Sequence, residues 1–171
     1  MKKIVFLSMF LLTIGFSQDL VDLGFDAYDK GDYNKAAKIF SRACDNEVID
    51  GCLNLGYLYM DGLGVKQDYH KAAKLLKKAC DGGKIFSCGV LGALYANGQG
   101  VKQDYHEATK LFKEACNGEN VQSCSILGSL YIQGLGLSRD YHAAKEYFGK
   151  ACDLGDQKGC DFYKELNKKG F

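Results

Sequence analysis

Apolar and small residues recur along this chain with helical spacing. In the string "CGVLGALYANG", Cys88, Leu91, Gly92, Tyr95 and Ala96 fall at i, i+3, i+4, i+7 and i+8. One face of a helix is thereby defined, and Gly98 stands where a helix of that length needs its C-terminal cap. A loop through Gly100 follows. Asp104 then stands as the N-cap of a second helix, with Glu107 three residues on predicting a capping box. Tyr105, Ala108, Phe112 and Ala115 form the second apolar stripe, at i, i+3, i+7 and i+10. Gly92 lies inside the first helix, where glycine costs about 1 kcal/mol against alanine. Close approach of a neighbouring helix is the return expected for it, with a small residue such as Ala108 opposite.

The same pair of helices is written again at a period of 36 residues. Leu55-Gly56 returns as Leu91-Gly92 and Leu127-Gly128, and Leu58-Tyr59 as Leu94-Tyr95 and Leu130-Tyr131. "QDYHKA" (67–72), "QDYHEA" (103–108) and "RDYHAA" (139–144) keep the register. A fixed period of this size marks an array of supersecondary units. No period-2 run occurs, so the expected class is all-α, an α/α solenoid of about nine helices related to tetratricopeptide arrays. The repeats run over about 20–51, 52–87, 88–123 and 124–159, with a capping helix at 160–171. The first unit, with "KGDYNKAAKIF" at 30–40, lacks the glycine loop, and the last stops after one helix. Both departures suit the ends of a stacked array.

Composition changes this picture at the N-terminus. Lys2 and Lys3 precede the uncharged apolar run 4–16, and Gly15 and Ser17 stand at −3 and −1 from Gln18. Residues 1–17 therefore read as a secretory signal peptide, too short to span a membrane comfortably. The remaining chain, 18–171, is expected to be one soluble solenoid domain that is secreted or periplasmic, with no membrane insertion. Without Lys2 and Lys3, the 22 basic and 21 acidic residues of the whole chain become 20 against 21. No basic stripe remains to suggest nucleic acid as a partner.

"LGALYANGQGVKQDYHEATKLFKEAC" resembles the Sel-one-like repeat, a relative of the tetratricopeptide repeat. Together with paired cysteines at Ala-Cys-x7-Cys spacing, the chain is similar to the secreted Helicobacter cysteine-rich proteins over residues 20–165. That resemblance implies penicillin binding and slow hydrolysis of penicillin- and cephalosporin-type β-lactams, the activity of a hydrolase conferring antibiotic resistance. The family supplies no catalytic motif that maps onto these residues, so the catalytic residues stay unassigned.

All eight cysteines belong to the repeating device. In an exported chain an even number at fixed spacing reads as a disulfide framework, and no Cys-x-x-Cys suggests zinc. Two linear schemes place partners at the same end of neighbouring helices. One joins Cys44–Cys52, Cys80–Cys88, Cys116–Cys124 and Cys152–Cys160; the other joins Cys52–Cys80, Cys88–Cys116 and Cys124–Cys152. The second strands Cys44 and Cys160 at opposite ends, beyond the roughly 7 Å Cα limit for a bridge. Parity thus favours the first. The residues before the second cysteines, Gly51, Ser87, Ser123 and Gly159, are small enough for a crowded corner.

The chain shows little catalytic chemistry. His70, His106 and His142 occupy one place in successive units, too far apart to share a metal, and read as solvated first-turn residues. Ser87, Ser123, Ser125, Ser129 and Ser138 lack the Ser-x-x-Lys signature of serine β-lactamases. Tyr59, Tyr95 and Tyr131 read as core rather than ligand-stacking residues. No cofactor or metal is implied. What remains is a surface, the concave face lined by the first helix of each unit. Positions that differ between copies are Asn54, Val90 and Ile126; Tyr57, Ala93 and Ser129; and Asp61, Asn97 and Gln133. They make a possible binding face for an unidentified protein or peptide, the alternative to a β-lactam ligand.

Overall fold

The computed structural model describes residues 19–171; the leader expected over 1–17 lies outside them. Among the described residues the chain forms nine helices and no strand. They are α1 (19–29), α2 (Tyr33–Asp45), α3 (Ile49–Asp61), α4 (Tyr69–Asp81), α5 (Ile85–Asn97), α6 (Tyr105–Asn117), α7 (Val121–Gln133), α8 (Tyr141–Asp153) and α9 (Gln157–Lys168). This is the all-α, tetratricopeptide-related α/α class that two stripes per unit predict. The helices group into two compact units, one ending at Gly82 and the other running from Gly83 to Phe171.

Within each unit the repeat period sets the packing. Ala36, Ala72, Ala108 and Ala144 of the second helices are wholly buried. Facing them, the mid-helix glycines of the first helices seat a bulky side chain. A Cβ on Gly92 would lie 3.1 Å from the Phe112 ring and 3.3 Å from the Ala108 carbonyl. The neighbour expected at Gly92 was a small residue; the structure puts the Phe112 ring there, with Ala108 offering its backbone. Gly24 with Phe40, Gly56 with Leu76, and Gly128 with Phe148 repeat the arrangement. Interdigitation of a missing side chain with a ring gives native packing density without a void.

The loops explain the rest of the motif. Gly62, Gly98 and Gly134 end α3, α5 and α7 in the left-handed region, with φ of +71°, +66° and +70°. Gly136 combines φ +72° with a backbone contact, since a Cβ there would sit 2.1 Å from the Tyr105 carbonyl oxygen at the start of α6. Only glycine lets the loop of one repeat rest on the second helix of the repeat before it. Gln67 and Gln103 close their loops by donating from Nε2 to the Met60 and Ala96 carbonyls, each at 2.7 Å. The "KQDYH" string, present at 66–70 and 102–106, thus holds a loop clamp that spacing alone did not reveal.

Asp104 caps α6 as expected, accepting from His106 N–H at 2.9 Å and Glu107 N–H at 3.0 Å. The reciprocal half of the capping box is absent. The Asp104 N–H donates to the Tyr95 carbonyl at 3.0 Å instead. Glu107 turns to Lys110, 3.7 Å away.

Candidate functional site

The surface positions singled out in the sequence lie on the first helices. Asn54, Tyr57 and Asp61 are on α3 in the first unit, while the other six share the second unit, on α5 and α7. All nine are half-buried or exposed, as a helix face beside a core requires. In the first unit Asn54 Nδ2 donates back to the Asp50 carbonyl at 2.7 Å. Burial and the nearby Asp61 charge push the Tyr57 phenol up to about 12, so it stays a neutral donor.

In the second unit these residues line a groove that occurs twice. The larger cavity, about 760 Å³, lies between α7 and α9; Ile126, Ser129 and Gln133 form one wall and Phe162 the other, above Phe148. The smaller, about 160 Å³, contains Val90, Ala93 and Ile126 with Phe86 and Phe112. Asn97 lines neither. The two are the same groove in successive repeats. Val90, Ala93, Phe112, Asn120 and Ile126 of the smaller correspond at 36 residues to Ile126, Ser129, Phe148, Asp156 and Phe162 of the larger. Phe162 was missed by sequence reasoning, although it stands one period after Ile126. Its ring stacks on Phe148 with centroids 4.8 Å apart and remains 44% exposed.

The polar groups of the larger groove are already engaged. Ser125 donates its hydroxyl to Asp156, whose other oxygen accepts from Lys158 N–H at 3.0 Å as the N-cap of α9. The Ser125 hydroxyl, followed by the Lys158 and Gly159 N–H groups, holds the Asp156 carboxyl below the usual range. A carboxylate so stabilised is a poor proton acceptor, and its partner hydroxyl is oriented as a donor to it. Ser129 donates to the Ser125 carbonyl at 3.1 Å. Ser87 and Ser123 are buried, at 0% and 2% exposure. None of these four serines combines accessibility with a base poised to accept its proton.

The histidines are exposed, and none is left to solvent alone. His106 Nδ1 lies 3.3 Å from the Gly136 carbonyl, and the His142 ring meets Phe171 edge-on at 5.9 Å. Among the described residues no histidine belongs to a cluster that could hold a metal. Tyr59, Tyr95 and Tyr131 are half-buried and pack against their local cores; Tyr131 also stacks on Tyr147, with centroids 5.4 Å apart. Cystine links join Cys44 to Cys52, Cys116 to Cys124 and Cys152 to Cys160, with Cα separations of 4.5, 4.8 and 4.5 Å. Cys80 and Cys88 are disulfide-bonded as well, and no cysteine is free.

Hairpins of two 13-residue helices, a glycine-pair loop and a cystine at each turn define a cysteine-rich α/α repeat protein. The Sel1 repeat model matches residues 21–48, 49–84, 87–120 and 121–156. The Helicobacter pylori cysteine rich protein B structure is 31% identical, with a TM-score of 0.60, covering 76% of this chain and 93% of that one. The chain belongs to the Sel1 repeat family and, within it, to the Helicobacter-type cysteine-rich proteins. A protective antigen of uropathogenic Escherichia coli with an SLR fold is also similar. It has a TM-score of 0.85 and 31% identity, and the match covers 91% of this chain and 34% of that one. "Putative beta-lactamase HcpC" of Helicobacter pylori is 44% identical over 50 residues, 29% of this chain and 17% of that protein. The chain thus spans under a fifth of the length of that curated relative. Paired cysteines and these relatives fit an extracytoplasmic protein. No described helix is long and apolar enough to cross a membrane.

Proposed function

We propose that the chain is a non-enzymatic scaffold that binds a protein or peptide on the face of its first helices. The observation that carries this reading is the α7–α9 groove. It offers about 760 Å³ of mainly apolar space, built from positions that vary between copies while the packing positions around them repeat. Stacked helical repeats expose such faces for recognition, and half-exposed aromatic anchors such as Phe162 are the residue type on which binding energy concentrates. In the first unit, Asn54, Tyr57 and Asp61 stand at the equivalent repeat positions on α3. The four cystines Cys44–Cys52, Cys80–Cys88, Cys116–Cys124 and Cys152–Cys160 rigidify the scaffold, and the leader at 1–17 directs it out of the cytoplasm, to the periplasm or beyond.

Selection of a displayed random peptide library on the oxidised protein tests the reading. Peptides selected should lose binding at least about tenfold to Phe162→Asp or Ile126→Asp, as loss of a buried apolar anchor implies. Equal binding to both variants, with their helicity intact, would refute the site.

Binding and slow hydrolysis of β-lactams is the second reading. The wording in the names of the curated relatives suggests it, and the groove lies in the volume range of drug-sized sites. The engaged serines count against an acyl-enzyme. Intact mass after incubation with a penicillin and a cephalosporin should show no persistent adduct on Ser87, Ser123, Ser125 or Ser129. Such an adduct would reinstate the enzyme reading.

A further inference from the structure

We propose that Cys152–Cys160 is a thiol-sensitive latch that holds α9 in place as one wall of the α7–α9 groove. Its chemistry rests on geometry, and its consequence for binding rests on the scaffold reading above.

The first observation is access. Cys44, Cys52, Cys80, Cys88, Cys116 and Cys124 are all 5% exposed or less. Cys152 and Cys160 alone among the eight are only half-buried. Thiol–disulfide exchange requires a thiolate to reach a disulfide sulfur, so a buried bond waits for its surroundings to open. The half-buried bond does not.

The second observation is what the bond holds. Of the twelve residues of α9, only Gly159 and Leu166 are buried, fewer than in any of α2 to α7. Lys164 stands 36 residues after Gly128, so α9 lacks the glycine seat on which Phe148 closes against α7. Packed from one side, the helix buries Leu166 against Ala144 and Phe148 and is otherwise fastened by separate contacts. These are the Ser125–Asp156 hydrogen bond, the Phe148–Phe162 stack, and Lys145 donating to Asn167 Oδ1 at 2.9 Å and to the Phe171 carbonyl. Cys152–Cys160 is the covalent fastening among them. The same helix, with its cap, contributes Asp156, Gln157, Lys158 and Phe162 to the groove.

The exchange needs a small thiol or a dithiol protein as reductant. One thiolate attacks a sulfur of the pair, forming a mixed disulfide as the other cysteine leaves as thiolate and takes up a proton. A second thiolate attacks the external sulfur of the mixed disulfide and frees the remaining cysteine. Two external thiols become one external disulfide, and the protein gains two thiols. The other cystines stay closed, α9 opens locally, and the groove loses a wall while α5–α8 persist.

The test uses full-length oxidised protein under graded dithiothreitol, with iodoacetamide pulses mapped by peptide mass and hydrogen exchange followed in parallel. Cys152 and Cys160 should label at least about tenfold faster than the other six cysteines, because only their bond avoids a prior opening step. At that stage amides of α9 should lose protection while those of α6 and α7 keep it. Cys152→Ser/Cys160→Ser should reproduce that exchange pattern without reductant. Labelling of all eight cysteines together, or α9 amides that stay protected in reduced protein and variant, would overturn the latch. No readout uses a ligand, so a failure to select peptides would count against the scaffold reading and leave these outcomes standing.

Discussion

Four glycine-to-alanine substitutions should differ in size of effect although the residues occupy one repeat position. Gly24, Gly56, Gly92 and Gly128 each sit mid-helix against a large side chain of the following helix. Alanine adds helix propensity of about 1 kcal/mol at every site. It also inserts a methyl whose nearest neighbour lies at 3.2 Å in Gly56, 3.1 Å in Gly92, 2.8 Å in Gly128 and 2.3 Å in Gly24. At Gly56 the neighbour is the branched end of Leu76, which can give by a few tenths of an ångström. At Gly92 the Ala108 carbonyl, 3.3 Å from the methyl, blocks retreat. Phe148 and Phe40 are rings only 1% exposed, so neither can swing out.

Overpacking of this kind costs about 1–3 kcal/mol. The expected net effects are therefore about zero for Gly56→Ala and losses of about 1 kcal/mol for Gly92→Ala and about 2 kcal/mol for Gly128→Ala and Gly24→Ala. At about 2–4 °C per kcal/mol for a chain of this size, thermal unfolding of the oxidised proteins by circular dichroism resolves the series. Phe148→Leu should partly rescue Gly128→Ala, because Leu76 shows how leucine meets a glycine at that place; a double-mutant cycle reads the coupling. An order in which Gly24→Ala is as stable as Gly56→Ala would refute the steric account, as would no coupling to Phe148.

Two further predictions use the turns and the caps. Glu47 and Glu119 hold φ of +63° and +65° where Gly83 and Gly155 stand in the other repeats. Glu119→Gly should raise stability by about 0.5–1 kcal/mol, the left-handed penalty less the added chain entropy, whereas Glu119→Ala should give no gain in the same melt. Asp156 is held below its ordinary 3.8 first by the Ser125 hydroxyl. A depressed carboxyl stabilises the fold above its unfolded pKa and loses that contribution as pH falls through its folded pKa. Ser125→Ala should therefore be less stable than the parent at neutral pH, with the gap closing through the acidic carboxylate range. A gap that is constant with pH would show that the hydrogen bond does not set this titration.

Helix existence was legible because period and composition agreed: each stripe met a cap of the right chemistry at its end. Partner identity was less so. Ala108 and Phe112 lie on one stripe, and only the register between α5 and α6 decides that the ring, not the methyl, meets Gly92. The capping box failed for a related reason. The Asp104 N–H that Glu107 would have accepted from is taken by the Tyr95 carbonyl across the loop, a contact between residues nine apart with no local signature. Gln67 and Gln103 escaped notice because a side chain closing onto a carbonyl seven residues back looks, in sequence, like any solvated loop residue.

The candidate site was legible as a register but not as a shape. Positions such as Val90 and Ile126 differ between copies under either account, since drift and recognition both permit change where packing does not forbid it. The two grooves of the second unit show where such change falls. They occupy equivalent places, yet one holds about 160 Å³ and the other about 760 Å³. Phe86 lines the smaller where Gln122 lines the larger; Gly89 and Asn120 stand in the smaller where the larger has the bonded Ser125–Asp156 pair. The packing rings Phe112 and Phe148 are the same in both. What varies instead is the bulk and polarity of the rim above an unchanged floor. On the scaffold reading proposed above, a ligand that fills the α7–α9 groove would not fit its neighbour, so one repeat would anchor the partner while the other repeats of the unit frame it.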